Sequence, residues 1–346
     1  MKNAHVISSL RWAAALALLL LALPLSARDI SLRISVKFIL SPGGAMPCCG
    51  NGTFDSFADI TNQVNFANEM LRSFGRGYQF QIYEVTTVGG PASAFYSNSR
   101  DDKDLLEAAA EADKTGFKYR DNAINMYVND ANGSAVCSFP PTDDIILFGQ
   151  ESRTTSLWHE SGHYFNLSHT HAGATEKNSN GTVCTNGCSC AQIIGGNTDG
   201  TADTIADHDC WSDANDIAQG NYGANYSALS ASRQALVDAV LNNIMSYHGD
   251  RFHMTSDQLD RWTDAANSSR DNVVTGYTRF VDRTANVLFP FGSSGLPFVT
   301  VAQGVSAARA AGGDIVLVRP GSYDETMTIS KPMCLRATRG TAVIGK

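Results

Sequence analysis

Leu157-Trp158-His159-Glu160-Ser161-Gly162-His163-Tyr164-Phe165-Asn166-Leu167-Ser168-His169-Thr170-His171 is the stretch that decides how this chain reads. On a helix, residues four apart project from one face a turn apart, so His159 and His163 present their imidazoles together. Two such imidazoles can hold one metal ion, and Glu160 between them reaches a water bound to it. His169, six residues on, lies past the helix end if the chain turns back there. Three neutral nitrogen ligands with a fourth position open to water is the arrangement of a catalytic zinc, not of a closed structural one.

Working outward, the pattern is that of an α/β layer around a twisted mixed sheet. Ile30 to Leu40 is β-branched and apolar and ends in Ser41-Pro42-Gly43-Gly44, which predicts a first strand. Ile60, Val64, Ala67, Leu71 and Phe74 recur at helical spacing, with Gly75 as the stop. Tyr78, Phe80 and Ile82 alternate with polar or amphipathic neighbours, as do Ile124, Met126 and Val128. A short Ala-rich helix is expected around Leu105 to Ala112. Ser134 to Phe139 reads as an edge strand ended by Pro140-Pro141. Ile145 to Phe148 is a brief buried strand feeding the histidine helix. A long polar stretch follows to about Ala224; its composition cannot build a core alone, which points to cross-links or bound ions. Ala228 to Leu241 is again helical, and Thr255-Ser256-Asp257-Gln258 opens a further helix with a capping box.

The full pattern His-Glu-x-x-His-x-x-Asn-x-x-His, followed downstream by Asn243-Ile244-Met245-Ser246-Tyr247, resembles the metzincins. Asn166 stands where that family has Gly; Asn is the non-glycine residue that best tolerates the left-handed turn needed there. Within the metzincins the chain is most similar to the pappalysin-like peptidases. That similarity rests on Trp158 to Phe165, His169-Thr170, Asp203-Thr204-Ile205-Ala206-Asp207, the Met245 turn and Met254 to Gln258, and it spans roughly residues 30 to 270. The family's Asp-Thr-Pro is Asp207-His208-Asp209 here, a departure that leaves the loop and any calcium site near it open.

The resemblance implies a metzincin-type fold with an irregular lower subdomain carrying the Met-turn and a C-terminal helix. It implies Zn²⁺ on His159, His163 and His169, with Glu160 as general base toward a zinc-bound water that attacks a peptide carbonyl. Met245 is then the hydrophobic floor beneath the metal, and Tyr247 the phenol placed to meet the oxyanion. For Tyr247 the plainer alternative is a structural hydrogen bond. By the same family geometry, Ser134 to Phe139 forms the upper rim along which an extended peptide adds by main-chain bonds. His171 and His208 are read as neighbours, not ligands, and the acidic turn of Asp203, Asp207 and Asp209 as solvated, with calcium or a second metal as the rival.

The chain ends frame this centre. Met1-Lys2, Arg11, an apolar run from Trp12 to Leu23 and Leu25-Ser26-Ala27 form a signal-peptide pattern with cleavage near Ala27. The apolar run is short of a membrane span, so secretion or periplasmic export without a lasting anchor is expected. Removing Lys2 and Arg11 takes the basic count from 26 to 24 against 34 acidic residues, a formal charge of −10. Nucleic acid is excluded as a partner on that balance. The first strand starts close to the cleavage point, which predicts activity on export without a pro-segment latch. The glycosylation pattern Asn166-Leu167-Ser168 would put a glycan in the zinc motif, which favours a bacterial source.

Eight cysteines in an exported chain predict disulfides, with a second zinc site among Cys184, Cys188, Cys190, Cys210 and His208 as the alternative. The peptidase domain is placed at 28–276. From 277 to 346 the pattern resembles the cap helix and first rungs of a right-handed parallel β-helix, with Phe298 to Ala311 as the helix. About two rungs are fewer than repeat folds ordinarily need. The competing function is therefore an extracellular adhesion or binding protein whose C-terminal part does the work.

Overall fold

The computed structural model describes residues 29–47, 56–141, 144–184, 187–249, 251–293, 295–310, 312–337 and 341–345. The leader at 1–27, Cys48, Cys49 and Ser294 lie outside the described residues. Ser31–Thr275 forms one compact unit, and Gly276–Lys346 belongs to another. No helix among the described residues is long and apolar enough to cross a membrane.

In the larger unit, β1 (Asp29–Ile39), β2 (Tyr78–Val88), β3 (Ile124–Val128) and β4 (Ile145–Phe148) run in the order β2-β1-β3-β4. Strands β1, β3 and β4 are parallel, with Val36 beside Met126 and Met126 beside Ile146. Every residue of β3 and β4 is buried, as expected for a parallel sheet covered on both faces. The polar-looking positions of β3 therefore face a second interior. Asn125 Nδ2 donates to Arg120 O and Ala123 O, and the Tyr127 hydroxyl donates to Phe117 O at 2.9 Å.

Beyond β4 the rim at Ser134 to Phe139 is a single antiparallel bridge, not a strand. Val136 N donates to Leu147 O at 2.8 Å, and Leu147 N to Val136 O at 3.0 Å. The tandem prolines at 140 and 141 offer no amide hydrogens with which to extend the pairing. With β1, β3 and β4 parallel and this bridge antiparallel, the sheet is mixed.

Helix α1 (Phe57–Ser73) opens with a Ser56/Asp59 capping box and buries Ile60, Val64, Ala67 and Leu71. Gly75 follows its end at φ 67°, a left-handed turn that glycine adopts without strain. Asn68 locks α1 to β2 by donating to Phe80 O (2.9 Å) and accepting from Phe80 N (2.7 Å). Helix α2 (Lys103–Ala112) contributes Leu106 and Ala110 to a second core with Phe117, Tyr127 and Leu147.

The polar stretch after the histidine motif is held together in two ways. Disulfides join Cys184 to Cys190 and Cys188 to Cys210, so these four sulfurs are not thiolate ligands of a second zinc. A small core of Trp211, Ile217, Ala218, Val237 and Val240 also forms between α4 (Ala214–Tyr222) and α5 (Ala231–Leu241). Helix α3, the histidine helix, is Ser156–Tyr164. Helix α6 (Ser256–Ala266) starts with the Thr255/Gln258 capping box. Its Trp262 packs 4.3 Å from Phe165 and edge-on to Tyr78 and Phe80, which seats the end of α3.

One buried charge sets a pH dependence. Lys37 on β1 is fully buried and donates to Asn125 Oδ1 (2.5 Å) and Ser35 O (3.2 Å). Burial lowers its pKa to about 7, against the partial support of Glu84. Between pH 7 and about 10 the unfolded lysine therefore holds a proton that the folded one has lost, so folding stability rises with pH across that window. Chemical denaturation at pH 7, 8 and 9 is expected to show this rise and Lys37→Met to flatten it; equal slopes in both proteins would contradict the assignment.

In the smaller unit, β5 (Val274–Val281), β6 (Ile315–Val318) and β8 (Cys334–Ala337) stack in parallel, with Thr278 and Cys334 on either side of Ile315. A second parallel pair joins β7 (Gly321–Tyr323) to β9 (Ala342–Ile344). Helix α7 (Val301–Ala307) is shorter than its sequence pattern. It places Val301 and Val305 on a core with Val281, Val316, Val318 and Tyr323. Buried Asp314 is paired with Arg279 at 3.0 Å and Arg309 at 2.7 Å.

Candidate metal centre

Every residue of α3 is buried, and each of its ends is satisfied from elsewhere in the unit. Leu157 N near its start donates to Gln63 Oε1 of α1 at 2.7 Å. At its other end Arg270 Nε donates to Tyr164 O at 3.0 Å, with the guanidinium 4.1 Å over the Tyr164 ring. A cation there suits the negative end of the helix dipole.

The helix stops because Asn166 turns left-handed, at φ 73°. Its N–H bonds His163 O at 2.8 Å, and Leu167 N bonds Gly162 O at 2.8 Å. Arg261 on α6 holds the turn by donating from Nε to Asn166 O at 2.6 Å. The turn brings Leu167 O back to His163 and sends His169 around to face the helix. Asn166→Gly is expected to preserve melting temperature and metal content. Asn166→Val, with a β-branched residue at positive φ, should cost about 1–3 kcal/mol in denaturant titration; equal stability of the two variants would contradict this reading of the turn.

His159 Nδ1 donates to Ile244 O at 2.5 Å and His163 Nδ1 to Leu167 O at 2.8 Å. A carbonyl can only accept, so both rings carry their proton on Nδ1 and expose a bare Nε2. Those Nε2 atoms converge with that of His169, which lies 3.0 Å from His163 Nε2 and 3.3 Å from His159 Nε2. Burial lowers the pKa of His159 to about 3 and of His163 to about 4, and lowers His169 as well. The bare lone pairs of His159 and His163, aimed at the same place as the His169 ring nitrogen, favour a cation there. The donor set fits a divalent metal, and three nitrogens suit zinc. The carbonyls on Nδ1 are the outer partners that fix the orientation of such ligands.

Glu160 shares the cleft and is not part of the nitrogen cluster. Burial pushes its carboxyl up to about 8, opposed by the charges of Arg100 and Arg251 and by a backbone hydrogen bond from Cys137 on the rim. A bound cation would add the counter-charge that keeps this acid ionised at neutral pH.

The Met-turn lies behind the cluster. Met245 is fully buried, and its sulfur occupies the space a side chain at Gly162 would need. Thr170 N donates to Met245 O at 3.1 Å, and Asn243 Oδ1 accepts from Met245 N at 2.9 Å. Tyr247 is half exposed, its ring 4.7 Å from His169 and 4.6 Å from His171. Among the described residues its hydroxyl has no hydrogen-bond partner, which leaves the phenol available to a ligand. His171 stacks on His169 at 4.8 Å and stays outside the cluster.

Asp207 joins these parts. Fully buried, it accepts from Thr170 Oγ1 at 2.5 Å, His248 Nε2 at 2.8 Å and His208 N at 2.8 Å. It thereby ties the residue after His169 to the residue after Tyr247. Asp203 is used elsewhere, accepting from Asp257 N at 3.0 Å. Asp209 and Glu176 flank His208 instead, at 2.9 and 3.4 Å. The positioning roles of Asp207, Arg261 and Arg270 went unread in the sequence, because each acts across 37 or more residues.

No protein-family model matches the chain, and no curated protein sequence matches it. Among solved structures it is similar to mirolysin in complex with compound 9, at a TM-score of 0.45 and 14% identity over 72% of this chain and 97% of that one. Mature mirolysin of Tannerella forsythia in complex with a cleaved peptide gives 0.43 and 15% over the same shares. A promirolysin mutant of that organism gives 0.43 and 13%, over 79% of this chain and 93% of that one.

Proposed function

We propose that this chain is an exported zinc endopeptidase of the pappalysin-like metzincin type. The observation that carries the reading is the convergence of three histidine Nε2 atoms, those of His159 and His163 left bare by carbonyls on their Nδ1 protons, beside a buried glutamate. Zinc bound there would act as a Lewis acid and lower the pKa of water toward neutrality. Glu160 takes a proton from the attacking water and passes it to the leaving amine nitrogen. Tyr247 donates its phenolic hydrogen bond to the carbonyl oxygen as negative charge grows there. The rim at Ser134 to Cys137 lines the same cleft and aligns an extended peptide across it. Met245 keeps Gly162, and with it the histidine helix, in register.

For the smaller unit, the two stacked parallel pairs repeat at about twenty residues, Ile315 to Cys334 and Gly321 to Ala342. That repeat supports reading it as the start of a parallel β-helix. An adhesion role centred there would leave Glu160 without a task. The test is hydrolysis of an unstructured protein substrate by the purified chain. Cleavage should cease on chelation and return with stoichiometric Zn²⁺; cleavage indifferent to chelation would overturn the metallopeptidase reading.

A further inference from the structure

The protein as a whole is acidic, with a formal net charge of −8. Its histidine cleft, of about 470 Å³, has the opposite character. Arg100, Arg153 and Arg251 all line it, from three different segments of the chain, and among the described residues the carboxylates in the lining are Glu151 and Glu160. Among the described residues none of the three arginines forms an ion pair. Arg100 and Arg153 are exposed, whereas Arg251 is partly buried and anchored by Nη1 to Ser246 O at 3.1 Å in the Met-turn. Burial and the like charge of Arg153 hold Arg251 below the ordinary guanidinium range. Glu160 offsets part of the repulsion between Arg153 and Arg251, and an anionic ligand relieves the rest. A guanidinium presents a planar fork of donors that matches a carboxylate.

We infer that this cleft selects polypeptide substrates with Asp or Glu close to the scissile bond, read by Arg251 together with Arg153 and Arg100. The inference rests on the peptidase reading for its chemistry and on the arginine geometry for its selectivity. Arg251 is the principal contact, because its partial burial weakens screening by salt and water. Arg100 and Arg153 act at longer range, gathering negative charge into the cleft.

The experiment separates the two readings. Full-length protein is given a peptide library, and matched peptides differing by single Glu→Gln changes within three residues of the cut are compared. Cleavage windows should be enriched in Asp and Glu, and each Glu→Gln change at the preferred position should lower kcat/KM by about tenfold, the worth of one charged hydrogen bond. Arg153→Glu and Arg251→Gln should each shrink the Glu/Gln ratio measured within that variant, whatever its absolute rate. In parallel, binding of the same peptides to Glu160→Ala protein is followed by fluorescence polarisation. Acid-selective binding without cleavage in the unmodified protein would support the inference while sinking the peptidase reading. Cleavage without acid enrichment, or a Glu/Gln ratio untouched in both arginine variants, would overturn the inference and leave the peptidase intact.

Discussion

Glu160→Ala is expected to lower kcat/KM for peptide hydrolysis by about 10²–10⁴-fold, the range of a lost general base, while zinc content stays at the unmodified level. The two readouts are independent because Glu160 lies outside the converging nitrogens of His159, His163 and His169. Burial opposes its ionised form, which the Cys137 backbone and the field of Arg100 and Arg251 support. Removing it therefore deletes the proton acceptor and leaves the histidine cage standing. Rates measured beside metal content by atomic emission check this. A variant that keeps its zinc and more than a tenth of its rate would remove Glu160 from the reaction.

Asp207→Ala is the second large effect, and it acts at a distance from the chemistry. The substitution strands the Thr170 hydroxyl, His248 and the His208 amide inside the protein. Buried donors left without partners cost about 1–3 kcal/mol each when relaxation is incomplete, so a loss of about 3 kcal/mol in unfolding free energy is expected. Zinc affinity should fall with it, because Thr170 no longer holds the loop that delivers His169. Thr170→Val, which removes one donor with little change of shape, should cost about 1 kcal/mol. Denaturant melts of both variants with zinc titration form the check. An Asp207→Ala protein as stable as its parent would show that this carboxylate does not organise the loop.

The parts legible in the sequence were those encoded by local period or local conformation. Helix spacing places His159 and His163 together, and Asn166 is found at the positive φ that its chemistry tolerates. The capping box at Thr255 and the apolar runs of β4 and α1 are equally local. What escaped depends on contacts between distant residues. The alternation along β3 suggested one buried face, but α2 covers the other, and Asn125 and Tyr127 find partners there. The rim at Val136 is one bridge because its pairing is with β4 alone. The polar stretch hides a core around Trp211 whose members are spread from 211 to 240, so no window reveals it. Arg100, Arg153 and Arg251 are unremarkable in sequence and acquire meaning only by converging on one cleft.

Zinc content of the purified chain, measured against a His163→Ala variant, tests the centre most directly. One zinc per chain in the parent and none retained in the variant is the expected result, since His163 Nε2 is 3.0 Å from its neighbour in the nitrogen cluster. A parent without zinc, or a variant that keeps it, would contradict a metal centre built on His159, His163 and His169.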